Sequence, residues 1–174
     1  ATERDISGYL WLGNDRIGYI QDTGGDENFR LYAINIDRSN QADLTPFDSV
    51  QVRIVDDLEE IPEEVLIGMN KRDQRLHDVY RLNVITGEME IIAENPGNVS
   101  GWQTDHAGKL RLAFTADGVN TSMLYRHTEQ DSFSVILTTD FREEVNPMLF
   151  TFDNKNLYVS SNRNRDKSAL YKFD

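Results

Sequence analysis

The chain has 174 residues and contains no cysteine. This absence excludes disulfide scaffolds, zinc sites built on thiolates, and cysteine nucleophiles. It says little about the cellular compartment, because reducing and oxidising environments both tolerate it. Proline is also scarce, with 4 residues, and it falls mostly at turns such as "LTPF" and "ENPGN".

Long apolar segments are missing as well. No stretch approaches the roughly 18 consecutive apolar residues of a membrane-spanning helix. Residues 1–8, "ATERDISG", lack the basic start and the apolar core of a signal peptide. We therefore expect a cytoplasmic rather than a periplasmic protein, although a segment cut from a longer precursor would look the same.

Positive charge is in short supply. The sequence carries 18 basic against 30 acidic residues, which gives a formal net charge of -12. No run of lysine or arginine is long enough to follow a phosphate backbone, so neither nucleic acid nor a membrane is expected as a partner. We interpret the acidic surface as one that serves solubility.

What the sequence does contain is a repeat. A Leu-Tyr or Val-Tyr pair recurs four times, each after a polar, turn-rich segment, and its tyrosines are separated by 48, 45 and 46 residues: Tyr32, Tyr80, Tyr125 and Tyr171. A period of this length is typical of one four-stranded propeller blade, although helical solenoid repeats can be equally long.

Alternation of apolar and polar residues favours strands over helices. "DVYRLNV" places Tyr80, Leu82 and Val84 on one face, and "RLYAINI" does the same with Tyr32, Ile34 and Ile36. No window shows sustained helical periodicity. We therefore expect the four tyrosines to be equivalent, buried positions on third strands.

Each repeat divides into four strands, but the last repeat ends after its third. The sequence thus predicts an all-β fold, a β-propeller segment of four-stranded antiparallel blades, with about three and three-quarter blades and part of a larger propeller. We expect a single domain over residues 1–174. Its blades are predicted at residues 9–47, 50–95 and 98–139, with an incomplete fourth blade at residues 145–174. An unpaired last strand would allow self-association through open blade edges.

Several motifs resemble known propellers. "SNRNRDKSALYKFD" resembles the repeats of TolB-like proteins. "GYLWLGNDRIGYIQDTGGDENFRLYAINI", "LTPF", "NKRDQRLHDVYRLNVITGE" and "IIAENPG" resemble the N-terminal propeller of bacterial serine peptidases of the prolyl oligopeptidase family, on the acylaminoacyl and dipeptidyl peptidase side. The resemblance covers nearly the whole chain.

This resemblance implies a non-catalytic role. In that family the propeller gates substrate access and docks to an α/β-hydrolase domain, which is absent from this chain, so peptide substrate is met only indirectly. No Gly-x-Ser-x-Gly elbow occurs, and we interpret the nearest match, Ser100-Gly101, as a turn. We expect no enzymatic activity, catalytic residue, metal or cofactor. The alternative is a stand-alone TolB-like or WD-repeat-like interaction propeller, which only the parent reading frame distinguishes.

Individual site candidates are weak. His77 lies near Asp73 and Asp78 and could form an acid–base pair, but without a nucleophile we interpret it as structural. His106 and His127 share no metal-ligand spacing with it. "DTGGDEN" and "FDNKN" offer oxygen ligands for calcium but lack the EF-hand pattern, so we interpret both as turns.

The remaining candidate site residues lie on the first strands of the blades and on the loops between second and third strands. Trp11 and Trp102 could contact peptide, but packing between blades is the preferred interpretation. The loops between second and third strands should share one rim of the propeller. A candidate interaction rim then consists of Asp26, Glu27, Arg72, Arg75, His77, Arg163 and Arg165. Its mixed charge suits a polar protein interface, with simple solvation as the alternative.

Overall fold

The computed structural model describes residues 4–174. Over these residues the chain forms 15 strands and no helix, and the strands make four separate antiparallel sheets. None of the described residues belongs to a helix long and apolar enough to cross a membrane. The chain divides into two compact units, unit 1 up to Gly97 and unit 2 from Asn98 onwards.

Unit 1 contains blades 1 and 2, each a four-stranded sheet in sequential strand order. Blade 1 consists of β1 (Gly8–Leu12), β2 (Arg16–Gln21), β3 (Arg30–Asn35) and β4 (Ala42–Asp43). Blade 2 consists of β5 (Val52–Asp56), β6 (Glu64–Asp73), β7 (Leu76–Asn83) and β8 (Met89–Ala93). Sequential order makes every connection a hairpin-like link between neighbouring strands, as the repeat pattern predicts.

The core of unit 1 lies between its two blades. Because side chains alternate across a strand, each sheet sends one set of apolar residues towards the other. Together they form one cluster of buried residues: Leu12, Leu31, Ala33, Leu44, Val50, Val52, Val65, Ile67, Met69, Leu82 and Val84. Aliphatic contact between two sheet faces thus holds this unit together.

Unit 2 contains blades 3 and 4. Blade 3 is four-stranded, with β9 (Val99–Thr104), β10 (Leu110–Ala116), β11 (Asn120–Tyr125) and β12 (Ser134–Asp140). Blade 4 has three strands, β13 (Val145–Phe150), β14 (Leu157–Ser161) and β15 (Ala169–Phe173). The buried apolar cluster of unit 2 is smaller than that of unit 1 and consists of Leu112, Met123, Phe150, Leu157 and Val159.

Two buried arginines supplement that small core. Arg111 Nη1 lies 2.9 Å from Asp105 Oδ2, and its Nε donates to the carbonyl of Arg126 at 2.8 Å. Arg126 Nε in turn donates to the carbonyl of Leu110 at 2.8 Å, and its guanidinium lies 4.6 Å from the centre of the Phe133 ring. An ion pair and hydrogen bonds to backbone carbonyls thus satisfy these buried charges inside blade 3.

The predicted fold class is confirmed. The chain is an all-β propeller segment whose first three sheets have four strands and whose last sheet has three. Within each sheet the strands lie side by side in the order in which they occur along the chain, as the repeat predicts. The predicted single-domain boundaries stay a prediction.

The expected burial of the four repeat tyrosines is wrong. All four lie on third strands, but Tyr32, Tyr80 and Tyr125 are half-buried and Tyr171 is 41% exposed. In β3 the fully buried residues are Leu31 and Ala33, which point away from the face of Tyr32. Alternation predicts a strand correctly, but it does not tell which of the two faces a neighbouring sheet covers.

Candidate functional site

The first part of the predicted rim is the loop between β2 and β3 in unit 1. Asp26 Oδ1 accepts hydrogen bonds from the backbone N–H of Asn28 at 3.0 Å and of Thr23 at 3.3 Å. These bonds, that of Asn28 above all, hold the pKa of Asp26 below its usual value. The Asp26 carboxylate therefore shapes its own turn and stays ionised on the surface.

A polar chain of contacts joins this loop to the turn between β6 and β7. Gln51 Nε2 donates to the carbonyl of Glu27 at 3.2 Å, and the Gln51 backbone N–H donates to Asn70 Oδ1 at 2.6 Å. Asn70 Nδ2 donates to the carbonyl of Gln74 at 3.0 Å. The two loops of unit 1 thus lie side by side, and the structure brings Glu27 and the turn before Arg75 onto one rim.

Arg72, also predicted for the rim, is a structural residue. Its Nε and Nη2 donate to Asp78 Oδ2 at 2.8 Å and Oδ1 at 2.7 Å, and Nη2 also reaches the carbonyl of Asn95 at 2.9 Å. Asp78 is fully buried. The hydrogen bonds to Asp78 raise the pKa of Arg72. The guanidinium therefore stays charged and remains a permanent partner for that carboxylate.

Arg75 is the most exposed basic group of this rim. Its side chain is 84% exposed and makes a two-pronged pair with Asp73, at 3.0 Å to Oδ1 and 2.8 Å to Oδ2. The hydrogen bonds from Arg75 hold the pKa of Asp73 far below its usual range. This pair leaves much of the Arg75 guanidinium open to a partner.

His77 is not part of an acid–base pair. The nearby carboxylates are already engaged, Asp73 by Arg75 and Asp78 by Arg72. The buried Nε2 of His77 has no hydrogen-bond partner among residues 4–174. Burial, and secondarily the positive charge of Arg53, lower the pKa of His77, so its ring is neutral near pH 7. Its position favours the structural interpretation.

In unit 2 the predicted rim residues lie on the loop between β14 and β15. Arg163 Nε is 3.4 Å from Glu143 Oε2, and Arg165 Nη1 donates to the hydroxyl of Tyr171 at 3.2 Å. Arg163 also lines a cavity of about 250 Å³ together with Val159, Tyr171 and Phe173. This loop therefore combines exposed charge with an apolar recess.

Sequence reasoning missed two asparagines that hold the rim loops in place. In unit 2, Asn162 Oδ1 accepts from the backbone N–H of Glu144 at 2.7 Å, and its Nδ2 donates to the carbonyl of Arg142 at 3.2 Å. In unit 1, Asn70 makes the matching bond to the residue that precedes the first strand of blade 2. The sequence carries a signal for them, since "IGMN" and "VSSN" both place an asparagine after the apolar residues of a second strand, Asn70 within β6 and Asn162 directly after β14.

The two tryptophans behave differently. Trp102 packs against Phe133, with 5.7 Å between the ring centres. Trp11 is 56% exposed, so the expected packing between blades is wrong for this residue. With Tyr9, Asp57 and Glu59 it lines a cleft of about 640 Å³ in unit 1.

The remaining histidines and oxygen-rich turns do not converge on a metal site. His106 stacks on Phe152 at 5.3 Å and its Nε2 lies 2.8 Å from the Phe150 carbonyl, whereas the Nδ1 of His127 lies 3.5 Å from the Tyr125 hydroxyl. In "FDNKN", Asp153 accepts from within its own turn. Within the described part of the chain, no group of three or more His, Asp or Glu residues could hold a metal ion.

Comparison with curated proteins finds dipeptidyl peptidases. Dipeptidyl aminopeptidase BIII from Pseudoxanthomonas mexicana is 30% identical over 99% of this chain, but the match spans 26% of that protein. Dipeptidyl peptidase family member 6 from Caenorhabditis elegans is 30% identical over 91% of this chain and 23% of its own length. The chain therefore spans about a quarter of the curated relatives that it matches. No family model matches it.

Solved structures with a similar fold include an oligogalacturonate lyase in complex with manganese, at a TM-score of 0.65 and 15% identity over 97% of this chain and 48% of that one. Another is TolB from Acinetobacter baumannii, with a TM-score of 0.54 and 10% identity over 97% of this chain and 43% of the TolB chain. At such identities these structures support the fold alone. The resemblance to propeller segments of peptidases is confirmed.

Proposed function

We propose that this chain is the non-catalytic propeller segment of a serine peptidase of the prolyl oligopeptidase family. The observation that carries the proposal is the match to dipeptidyl aminopeptidase BIII, which includes 99% of this chain and 26% of that protein. In this proposal the segment gates access to an α/β-hydrolase domain and docks to it. Peptide substrate passes the propeller without being cleaved by its residues.

The side chains of the segment support a non-catalytic role. Nucleophilic catalysis needs a serine held beside a general base that is itself oriented by a third group. Here His77 is half-buried without a hydrogen-bond partner for Nε2 among the described residues, and Nε2 of His106 contacts a backbone carbonyl. Neither histidine activates a serine, and the sequence has no nucleophile elbow.

The rim of unit 1 is the surface that we propose for docking. Gln51 and Asn70 fix its two loops to each other through hydrogen bonds of 3.2, 2.6 and 3.0 Å, so the rim is preorganised. It presents the Asp26 carboxylate and the Arg75 guanidinium, which are charges of opposite sign. Such a mixed, exposed surface suits a polar protein interface.

The test begins with the reading frame that encodes this chain. We expect a Gly-x-Ser-x-Gly elbow a few hundred residues downstream; its absence would favour the TolB-like or WD-repeat-like interaction module. The segment that contains the elbow is then expressed separately and mixed with this chain. We expect a one-to-one complex in which cleavage of long peptides slows while cleavage of a dipeptide chromogenic substrate is unchanged.

A charge reversal on the rim sharpens the experiment. Arg75→Glu should weaken the complex about tenfold, because an exposed cation is replaced by an anion at the interface. Arg38→Glu is the matched control, since Arg38 is an exposed arginine on the connection between β3 and β4, outside the rim. Equal weakening by both variants would argue against docking through this rim.

A further inference from the structure

His77 lies at the base of the rim turn between β6 and β7. Strand pairing sets Met69 opposite Asp78 and Asp73 opposite Leu76, so His77 lies between the last two pairs of this hairpin. The turn beyond it carries Arg75, the exposed cation of the rim. A change at His77 therefore acts on the end of the hairpin that presents Arg75.

The surroundings of the His77 ring offer no acceptor for a second proton. Across the hairpin lies Gly68, where a Cβ atom would be 3.7 Å from both His77 Cβ and Val55 Cγ2. The buried Nε2 of His77 finds no hydrogen-bond partner among residues 4–174. In the imidazolium both ring nitrogens carry a proton. Whichever neutral tautomer is present, a charged ring would thus bury an N–H group without an acceptor.

The charged groups around the ring do not compensate for this. Burial, and then the cation of Arg53 on β5, hold the pKa of His77 below its usual value. Asp78 acts in the opposite direction, but its side chain points to the other face of the sheet and is engaged by Arg72 at 2.7 and 2.8 Å. Asp73 is paired with Arg75. Other charged residues on the His77 face of blade 2 lie farther along the sheet: Asp56, Glu64, Arg81 and Glu90.

We propose that His77 is an acid-sensitive switch of the rim in unit 1. A neutral ring stays in its buried site and keeps the turn between β6 and β7 closed, whereas a protonated ring leaves that site and opens the turn. The open turn no longer holds Arg75 in its docking position. This inference rests on the proposed docking of the hydrolase domain through the rim, and it adds that acid releases the domain.

The direction of the pH dependence follows from linkage. A histidine freed from the fold has a pKa of about 6.5, and that of His77 in the closed turn is lower. Between the two values the open turn binds more protons than the closed turn. The closed turn is therefore fully stable above about pH 7 and loses stability as the pH falls through about 6.5, until the pKa of the closed turn is reached. Over this window the ratio of open to closed turns rises by at most about tenfold for each pH unit.

Amide hydrogen exchange tests the switch. From about pH 7.5 to about pH 5.5, the protection factors of backbone amides in residues 69–79, corrected for intrinsic exchange, should fall about tenfold. His77→Phe keeps an aromatic ring but cannot take up a proton, so its protection factors should stay within about twofold. His127→Phe is the matched control, since His127 is an exposed histidine of unit 2 and its replacement should leave the fall unchanged.

A magnetic resonance titration of the His77 ring in the unaltered chain needs no variant. The ring should titrate below about pH 6.5. Titration at or above this value overturns the proposal. Protection that does not fall in the unaltered chain, or that falls equally in His77→Phe, overturns it as well.

Docking is tested separately, with the expressed segment that contains the nucleophile elbow. At about pH 5.5, this segment at about one hundred times its Kd should raise the protection of the same amides about a hundredfold, because it binds only the closed turn. A complex that forms without changing this protection overturns the link between His77 and docking. If no complex forms at either pH, the proposed docking fails, whereas exchange in the isolated chain still decides whether His77 is a switch.

Discussion

The two units share one repeat but are stabilised differently. Unit 1 buries 11 apolar residues in a single cluster between its sheets, whereas the corresponding cluster of unit 2 has 5. Unit 2 also buries two arginines, Arg111, which pairs with Asp105, and Arg126. A repeat period fixes the strands of a blade, but the balance of apolar and charged side chains that its sheets bury can differ within one chain.

This difference has energetic consequences. Burial of apolar area is favourable without any geometric condition, whereas a buried ion pair must first offset the cost of removing both charges from water. We therefore expect unit 2 to be less stable than unit 1. Each unit contains one tryptophan, Trp11 or Trp102, so the fluorescence of single-tryptophan variants can follow the two separately.

The largest expected effect is in the ionic core. Arg111→Met leaves the buried Asp105 carboxylate without its 2.9 Å partner and should cost unit 2 about 3–5 kcal/mol. Urea unfolding followed by Trp102 fluorescence measures this cost. Adding Asp105→Asn to the variant should recover most of the loss, because it removes the unpaired charge while the amide oxygen can still accept from the backbone N–H groups of Ala107 and Lys109. A cost below about 1 kcal/mol for Arg111→Met would show that the pair contributes little.

The aliphatic core of unit 1 should respond to a cavity rather than to a lost charge. Leu82 is fully buried, so Leu82→Ala should cost about 3 kcal/mol. Urea unfolding is read from Trp11 in a Trp102→Phe background. Ile85→Ala serves as the matched control, because Ile85 is 66% exposed and its loss should change stability by less than about 0.5 kcal/mol. Similar effects for both would contradict the assigned core.

These two cores show how far sequence reasoning reached. The tyrosine spacing and the alternation of apolar and polar residues were enough to predict four blades, the last with only three strands. They did not show that Leu31, rather than Tyr32, faces the neighbouring sheet, because alternation leaves both faces equivalent until a partner is placed. The rim was predicted as a set of loops, but the pairing of Arg72 with Asp78 depends on a fully buried carboxylate that no local pattern marks.

The asparagine bonds offer a smaller effect that is common to both units. Asn70 is buried and Asn162 is half-buried, yet each accepts a hydrogen bond from the residue before the first strand of its blade. Asn70→Ala should cost about 2 kcal/mol and Asn162→Ala about 1 kcal/mol, since the stranded backbone group is less accessible to water in the first case. The reverse order in urea unfolding would show that burial does not set the cost.

The smallest effect is the pH dependence that one carboxylate, Asp22, contributes to the stability of unit 1. Two hydrogen bonds from Arg4, at 2.9 and 2.8 Å, hold the pKa of Asp22 below its usual value. A lowered pKa adds stability that is complete above the unfolded value of about 3.9 and is lost as pH falls through the folded pKa. The stability difference between the unaltered chain and Asp22→Asn should therefore be constant from pH 7 to about 5 and shrink below about 4. A difference that grows on acidification would contradict this linkage.

The most direct test of the central claim, a propeller segment of a peptidase without chemistry of its own, uses a fluorophosphonate probe. Such a probe reacts with serines that are activated by a general base, so it reports on catalytic machinery without knowledge of the substrate. Intact mass spectrometry of the chain after incubation should show an unchanged mass. A stoichiometric adduct on one serine that disappears after heat treatment would contradict the claim.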